Sequence, residues 1–178
     1  MKKTRIIAGV DLGSQKATTL VAQVNEDPLS ADLTINVVGA STSESKGIKK
    51  GQIVDIEAAV ESIIASVEGA ERMAGYNLEK AFIALGGAHV RSQNSHGVDA
   101  VSDPQGEITV NDANRAVEAA SAISLPTSRE VVHVISRDFV VDGEPGVKDP
   151  IGMSGVRLEV DTHIITAASS SMKNLRKA

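Results

Sequence analysis

The clearest pattern in the sequence is an alternation of two residue types near its C-terminal end. Apolar or threonine side chains occupy every second position, namely Val156, Leu158, Val160, Thr162 and Ile164. Ionisable side chains occupy the positions between them, namely Arg157, Glu159, Asp161 and His163. Successive side chains of a β-strand point to opposite faces of a sheet, so this period of two predicts a strand with one face in a core. The chain must therefore contain a sheet that is covered on one side.

Two segments repeat apolar or small residues at steps of three and four, and therefore predict α-helices. The first is predicted to begin at Asp55, whose carboxylate can accept from the free amides of the first turn, and to end at Gly75. Its predicted apolar face consists of Ile56, Val60, Ile63, Ile64, Val67, Met73 and Ala74. The second is predicted to open with a capping-box-like pattern from Thr109 to Asp112 and to stop before Pro126. Its predicted face is made mostly of small residues, namely Ala113, Ala116, Val117, Ala120 and Ile123.

Short β-branched runs predict the other strands. Three runs near the N terminus favour an antiparallel meander; they lie at 6–10, 18–24 and 34–40, with a turn predicted at 25–32. Further strands are predicted at 82–85 and 130–142, with a short extended piece at 89–92. Residues 143–155 are rich in glycine and proline and predict a long loop, and a final helix is predicted near Met172. This order of elements predicts a mixed α/β protein.

The composition narrows the classes of function. With 178 residues, the chain has room for one domain, or for one domain that carries an inserted subdomain. It has no cysteine, which excludes a disulfide framework, a thiolate zinc site and a cysteine nucleophile. The net charge of -5 and the scarcity of aromatic residues argue against nucleic acid as a partner. The apolar run at 6–10 is too short for a signal-peptide core, and no stretch approaches the ~20 residues that cross a bilayer, which predicts a cytoplasmic protein.

The strongest local signal is the segment between the first two predicted strands, Asp11-Leu12-Gly13-Ser14-Gln15-Lys16. A carboxylate at a strand end can hold a hydrated divalent cation. A glycine-containing turn can point successive backbone N–H groups at phosphate oxygens, and Lys16 adds a positive charge. The same residue types also suit an ordinary hairpin turn, since aspartate and glycine favour turn geometry. The pattern therefore favours either a phosphate site or a plain turn.

No other motif identifies a reaction. The sequence has neither a P-loop nor a dinucleotide-binding glycine pattern. The segment Gly152–Gly155 resembles a nucleophile elbow, but its second glycine comes one residue too soon, so it is interpreted as loop geometry. The four histidines lack metal-site spacing, and the pair Lys49-Lys50 is interpreted as solvated. With no identifiable nucleophile or general base, the chain is predicted to be a binding module and not an enzyme, without catalytic residues.

Several stretches dispersed along the chain resemble, in the same order, the N-terminal half of the FtsA family of bacterial actin-like cell-division proteins. They are Gly9–Ser14, Ile35–Gly39, Gly47–Gly51, Ile53–Val60, Glu71–Gly75, Gly87–Val90, Val132–Ile135 and Val141–Glu159. The resemblance covers roughly residues 5–178. Ordered matches of this kind are far more specific than the short Asp-Leu-Gly-Ser turn alone.

The resemblance implies a fold and a nucleotide site. The fold would be a partial actin-like, ribonuclease H-like subdomain, called 1A, made of residues 1–82 and 163–178. An inserted SHS2-type subdomain, called 1C, would comprise residues 83–162. The ligand would be ATP with Mg²⁺, and Asp11 would lie near the magnesium through water. The residues placed near the phosphates by the resemblance are Gly13, Ser14, Gln15 and Lys16.

The resemblance also implies partners and a location. Members of the family assemble head to tail into filaments and link the tubulin-like protein FtsZ to the cytoplasmic face of the inner membrane at the division septum. Residues 83–162 would take part in filament contacts and would recruit later division proteins. The family continues for about as many residues again, so a second phosphate loop, the FtsZ-binding subdomain and the membrane-binding amphipathic helix have no counterpart in this sequence. We therefore expect this chain alone to bind Mg-ATP weakly or not at all, and the full-length protein to be at most a weak ATPase.

Two related interpretations of the same residues are an actin-like ATPase or phosphotransferase and an actin-like component of type IV pilus assembly. A phosphotransferase would share the segment Asp11–Ser14 but would need a substrate-binding subdomain and the second half of the cleft. The pilus protein has a similar inserted subdomain. The long matched block from Val132 to Glu159 favours the division family.

Overall fold

The computed structural model describes residues 3–26, 33–84 and 86–178. Within these ranges the chain forms two compact units. Unit 1 contains the described residues up to His89 together with Ser170–Ala178, and unit 2 is Val90–Ser169. Unit 2 thus interrupts unit 1 in the sequence, and it overlaps most of the insertion predicted at 83–162. The described residues combine β-sheets with three helices, which confirms the predicted α/β fold class.

Unit 1 is built on a four-stranded sheet in the order β3-β2-β1-β6. Its strands, with a small β4–β5 hairpin between them in sequence, are β1 Lys3–Leu12, β2 Lys16–Glu26, β3 Leu33–Glu44, β4 Ile48–Lys49, β5 Gln52–Ile53 and β6 Phe82–Ala84. Strands β1, β2 and β3 pair antiparallel, which confirms the predicted meander. Strand β6 pairs parallel with β1, so the C-terminal ends of these two strands lie at the same edge of the sheet. Leu85 and most of the turn predicted at 25–32 lie outside the described residues.

The helix of unit 1, α1 Ile56–Ala74, begins and ends as its local sequence predicts. The Asp55 carboxylate accepts a hydrogen bond from the Ala58 amide at 3.2 Å, which satisfies one of the free donors of the first turn. At the other end, Gly75 adopts the left-handed conformation with φ +73°, and its N–H donates to the Glu71 carbonyl. Glycine takes this conformation without a steric cost, so it ends the helix.

The fully buried row of α1 lies beside the predicted apolar row, most of which is half-buried. The buried residues are small, namely Ala59, Ser62, Ser66 and Ala70. Two members of the predicted apolar face, Ile64 and Met73, are 49% and 68% exposed. The reason is the close approach of helix and sheet: a Cβ added at Gly39 of β3 would lie 2.5 Å from the Ala70 carbonyl oxygen. Large apolar side chains do not fit directly between helix and sheet, so Val60, Ile63 and Val67 flank the buried row and are only half-buried.

Unit 2 also packs a helix on one face of a sheet, here in the order β7-β10-β8-β9. Its elements are β7 Val90–Ala100, α2 Val110–Ser121, β8 Arg129–Val141, β9 Glu144–Val147 and β10 Arg157–Ala168. The predicted alternation is confirmed along β10, where Leu158, Val160, Thr162 and Ile164 are all buried. Val156, which belongs to the same predicted set, lies before the strand and is 73% exposed.

The structure refines three predicted elements, two near or within unit 2 and one at the C-terminal end of the chain. The loop predicted at 143–155 contains the short strand β9, which pairs with β8. The extended piece predicted at 89–92 is the start of the long strand β7. The helix predicted near Met172 is α3 Ser169–Lys177. Among the described residues, no helix combines the length and the hydropathy needed to span a bilayer.

The N terminus of α2 is fixed by a buried carboxylate. Asp112 is fully buried and accepts hydrogen bonds from the side chains and amides of Thr109 and Ser102 and from Arg115. Thr109 in turn accepts from the Asp112 amide, which confirms the predicted capping box. These donors, the Thr109 hydroxyl first, hold the pKa of Asp112 well below its usual range. Because the pKa is lowered on folding, this carboxylate contributes stability that is present above about pH 4 and is lost as the pH falls.

His96 forms two ion pairs on the side of the unit 2 sheet that faces away from α2. Its Nδ1 lies 2.9 Å from the Asp161 carboxylate and its Nε2 lies 2.9 Å from the Glu159 carboxylate. Glu159 also binds Arg157. The hydrogen bond to Asp161, with the one to Glu159, raises the pKa of the imidazole although burial opposes it. The cluster is therefore most favourable when His96 is protonated.

Replacing His96 with glutamine is expected to lower the melting temperature of unit 2 more at pH 5.5 than at pH 9. A raised pKa means that the stabilisation is fully present below the ordinary value of 6.5 and is lost as the pH rises through the raised value. The His96 side chain is 47% exposed, so solvent screens the pairs, and we expect a loss of about 1–3 °C at pH 5.5. Thermal unfolding at both pH values measures this.

The matched control is His133→Gln, because His133 is exposed on β8 and its replacement removes a histidine of the same sheet. We expect this variant to change the melting temperature equally little at both pH values. Equal losses for His96→Gln at pH 5.5 and pH 9 would show that the two carboxylates do not stabilise a protonated His96.

Candidate functional site

The turn between β1 and β2 is closed by its own backbone. The Gly13 N–H donates to the Lys16 carbonyl at 3.0 Å, and the Gln15 carbonyl accepts from the Ser45 amide at 3.0 Å. The amide of Gly13, which the resemblance places among the phosphate donors, is therefore engaged inside the turn. The amides of Ser14 and Gln15 have no acceptor within the described parts of the chain, and both residues are exposed. The turn thus offers two successive backbone donors and the Ser14 hydroxyl to solvent.

Asp11 lies next to the last residue of β1, on the face of the sheet opposite to α1. The assignment of the face follows from β2, where the Thr19 hydroxyl bonds to Ser66 of α1 at 2.8 Å and the neighbouring Thr18 and Leu20 must point the other way. Asp11 pairs with Thr18 in the β1–β2 ladder. The Asp11 carboxylate is exposed, so it is free to approach a hydrated cation.

An open pocket of about 330 Å³ lies on this face beside Asp11. Its lining is apolar apart from Asp11 and Thr18, and includes Gly9, Leu20, Phe82 and Ala84. Because β6 runs parallel to β1, the ends of both strands and the turn that follows β1 lie at one edge of the sheet. The pocket therefore places one carboxylate beside an apolar surface, and the 13–16 turn follows that carboxylate in the chain.

A third segment reaches the turn from the β4–β5 hairpin. The Gly51 N–H donates to the Ser14 hydroxyl oxygen at 3.3 Å. Gly51 in turn packs on the segment that follows β6: a Cβ added to it would lie 2.4 Å from the Gly86 carbonyl oxygen. A Cβ added at Gly87 would lie 2.7 Å from the Lys50 carbonyl oxygen. The segments after β1, between β4 and β5, and after β6 therefore meet at one place.

This meeting point was not predicted from the sequence. Sequence patterns placed Gly51 only in a polar loop and indicated that Lys49-Lys50 is a solvated pair, and both lysines are indeed exposed. The available signal was the glycine at the tip of a short hairpin and the two glycines directly after a strand. Neither signal reveals that the two loops touch each other.

The donor set fits a phosphate group with one water-bound magnesium better than a metal held by protein alone. Within the described residues, no group of three or more histidine, aspartate or glutamate side chains is placed to hold a metal ion. Magnesium usually keeps several waters and is bound through one or two carboxylates and the phosphates of its substrate. A single carboxylate at Asp11, followed in the chain by the amide donors of the turn and by Lys16, is compatible with that arrangement.

The remaining sequence motif is structural. Gly152 donates its N–H to the Ile108 carbonyl, and Gly155 donates to the Gly106 carbonyl, each at 2.9 Å. These bonds tie the 152–155 segment to the strand-like stretch before α2. The segment is therefore a loop fixed by its backbone, in agreement with its interpretation as loop geometry.

Comparison with known proteins shows what the chain is similar to. The model of a family described as the SHS2 domain inserted in FtsA matches residues 87–166, which lie almost entirely in unit 2. The cell division protein FtsA of Pseudomonas aeruginosa is 40% identical over 97% of this chain, and that of Borreliella burgdorferi is 43% identical over 96%. The FtsA of Bacillus subtilis is 37% identical over 98% of the chain. The chain is similar to FtsA proteins along nearly its whole length.

The FtsA proteins are longer than this chain. It spans 40% of the length of the Pseudomonas and Borreliella proteins and 38% of the Bacillus protein. The match confirms the resemblance inferred from the dispersed stretches, and it confirms a partial actin-like fold with an inserted SHS2 domain. It also favours the FtsA family over the pilus-assembly and phosphotransferase alternatives, because the identity extends over nearly every described element.

Proposed function

We propose that the chain is part of a cell-division adaptor of the actin superfamily that acts as FtsA does. The observation that carries the proposal is the 40% identity, over 97% of the chain, to a protein named cell division protein FtsA. In this proposal the full-length protein forms filaments and links FtsZ to the cytoplasmic face of the inner membrane at the septum. Residues 83–162 contribute to filament contacts and to the recruitment of later division proteins. The protein is an adaptor, with at most a slow ATPase activity.

The nucleotide part of the proposal concerns the turn after β1. Asp11 holds Mg²⁺ through water, the amides of Ser14 and Gln15 and the Ser14 hydroxyl donate to phosphate oxygens, and Lys16 attracts their charge. Gly13 closes the turn with its own amide and so supports the donors. Magnesium, when bound, neutralises part of the phosphate charge. The exposure of the two amides and the apolar pocket beside Asp11 support this assignment.

The Asp11→Asn variant is expected to lose the effect of magnesium on ATP binding. In this proposal the chain supplies one side of the site, so its Kd for Mg-ATP should be about millimolar, which corresponds to roughly 4 kcal/mol. Losing a carboxylate that binds metal through water should weaken Mg-ATP binding ~10-fold or more, while ATP without magnesium binds no worse. Titration of ¹⁵N-labelled chain, followed through the amides of Ser14, Gln15 and Lys16, measures both affinities.

The matched control is Glu118→Gln, which removes the same charge from the exposed side of α2 in unit 2. Its Mg-ATP affinity should equal that of the unmodified chain. Unchanged Mg-ATP binding by Asp11→Asn would refute the magnesium assignment. To test the cellular role, this chain can replace the matched segment of Pseudomonas FtsA. The chimera should support division, and a chimera that accumulates as a folded protein but does not support division would count against the adaptor role.

A further inference from the structure

The hydrogen bond between Gly51 and Ser14 fixes what the Ser14 hydroxyl can do. A serine hydroxyl has one donor and two acceptor positions. The Gly51 N–H, at 3.3 Å, occupies one acceptor position, so the hydroxyl proton stays available for an acceptor on the ligand side. The Ser14 side chain is exposed, so an anion can reach it. A backbone donor on one side and an incoming acceptor on the other would orient the hydroxyl without another protein partner.

Only glycine fits at the position of that backbone donor. Gly51 has φ +73°, a region that side chains with a Cβ rarely adopt, and its Cβ position lies 2.4 Å from the Gly86 carbonyl oxygen and 2.9 Å from the Gly87 Cα. Gly87 has φ +117°, and its Cβ position lies 2.7 Å from the Lys50 carbonyl oxygen. The obstacles are backbone atoms, which cannot swing aside as the end of a flexible side chain can. The two loops therefore depend on paired glycines for their contact.

We propose that Gly51 is a positioning residue for the phosphate site: its N–H holds the Ser14 hydroxyl so that the hydroxyl proton is donated to a phosphate oxygen. The contacts of Gly51 with the backbone of Gly86 and Gly87 fix the position of the Lys50-Gly51 turn next to Ser14. The proposal rests on the nucleotide site of the proposed function. It adds the β4–β5 hairpin to that site, although no residue of this hairpin belongs to the turn after β1.

The charge of the hairpin agrees with this role. Lys49 and Lys50 directly precede Gly51 in the chain and are exposed. Lys50 has φ +50°, so the turn Lys50-Gly51 has two successive left-handed residues, the geometry of the tightest two-residue hairpins. The loop that touches Ser14 thus carries two positive charges on adjacent residues, and a positive potential attracts phosphate.

The test compares four variants of the chain by amide titration with Mg-ATP and with adenosine, which lacks phosphates. Ser14→Ala and Gly51→Ala should each weaken Mg-ATP binding about tenfold, because each removes or misplaces one hydrogen bond to a charged group. Ser14→Thr, which keeps the hydroxyl, should retain most of the affinity. Gly75→Ala is the control for backbone strain, since Gly75 has the same φ of +73° but nothing within 4 Å of its Cβ position; it should bind as the unmodified chain does. Adenosine should bind all of them equally.

Coupling between the two residues is the sharper readout. If Gly51 acts through Ser14, the Ser14→Ala/Gly51→Ala double variant should bind Mg-ATP as weakly as Ser14→Ala alone, since effects that share one interaction do not add. Without ligand, Ser14→Ala should also speed hydrogen exchange of the Gly51 amide, because that amide loses its acceptor. Ser14→Thr should leave the exchange slow.

The outcomes separate this proposal from the proposed function. An unmodified chain whose Ser14 and Gln15 amides do not respond to Mg-ATP at about ten times the millimolar Kd proposed for it overturns the nucleotide site and this inference with it. Mg-ATP binding that survives in Gly51→Ala, or additive losses in the double variant, overturns the inference alone. If Gly51→Ala unfolds unit 1, as shown by loss of its dispersed amide spectrum, the test uses Ser14→Ala and Ser14→Thr instead. The two variants are then compared in Mg-ATP affinity and in the hydrogen-exchange rate of the Gly51 amide. An equal exchange rate of that amide in the two variants would contradict the proposal.

Discussion

Gly97→Val is expected to displace α2 from the sheet of unit 2 and to cause a large loss of stability in that unit. A Cβ at Gly97 would lie 2.3 Å from the Ala116 carbonyl oxygen and 2.5 Å from the Ala120 amide nitrogen. Both atoms belong to the backbone of α2, so the whole helix must shift. Overpacking of a core costs about 1–3 kcal/mol, and more where rigid backbone is in the way, so we expect a loss above roughly 3 kcal/mol. Urea unfolding followed through unit 2 amides measures it.

The matched control is Gly86→Val. Gly86 also lacks a positive φ, but nothing lies within 4 Å of its Cβ position. An exposed substitution of this kind should change the free energy of unfolding by no more than about 0.5 kcal/mol. A Gly97→Val protein with unchanged unit 2 stability would mean that α2 does not approach β7 as closely as described.

The same close approach explains which part of the helix prediction was incomplete, namely the row of residues that is fully buried. The ends of α1 were predicted correctly because Asp55 and Gly75 act on the backbone within one turn of their own positions. The buried face depends instead on the distance between α1 and the sheet, and that distance is set by Gly39, which lies far away in the chain. Hydrophobic spacing on the helix alone carries no information about it. A face of alanines and serines was therefore missed.

In α2 the same kind of packing was predicted correctly, because the helix contains few large residues. Its small face, including Ala116 and Ala120, is the buried one. No row of larger apolar side chains competes with it for the core side. The local sequence therefore predicts the buried face of a helix correctly when only one of its faces is compatible with burial.

Part of the candidate site followed from local sequence as well. Asp11 and the turn that follows it are consecutive in the chain, and a strand that ends at an aspartate before a glycine turn can be predicted from neighbours alone. The contact of Gly51 with Ser14 joins residues 37 positions apart, and the contact of Gly51 with Gly86 joins separate loops. Such contacts depend on the tertiary fold. Family resemblance extended the prediction to ATP, but it did not point to the β4–β5 hairpin.

Leu158→Ala is expected to destabilise unit 2 strongly by removing buried side-chain volume. Leu158 is fully buried in a core that also contains Ile108, Val160 and Ala116. Truncating a buried leucine loses the transfer free energy of the removed atoms and leaves a cavity that the surrounding backbone fills only in part, at a cost of about 2–5 kcal/mol. Because α2 contacts the sheet through alanines backed by Gly97, the helix cannot move closer to fill the space. We therefore expect a value in the upper half of that range.

Val156→Ala is the matched control, because the alternation of the sequence assigned Val156 to the same face as Leu158. Val156 is 73% exposed, so its truncation should change the free energy of unfolding by no more than about 0.5 kcal/mol. Urea unfolding monitored through amides of β10 and α2 compares the two variants directly. Equal losses would mean that the buried row begins at Val156, as the alternation alone implies, and that β10 starts before Arg157. If only Leu158→Ala lowers the free energy of unfolding strongly, the buried row begins within β10, which starts at Arg157.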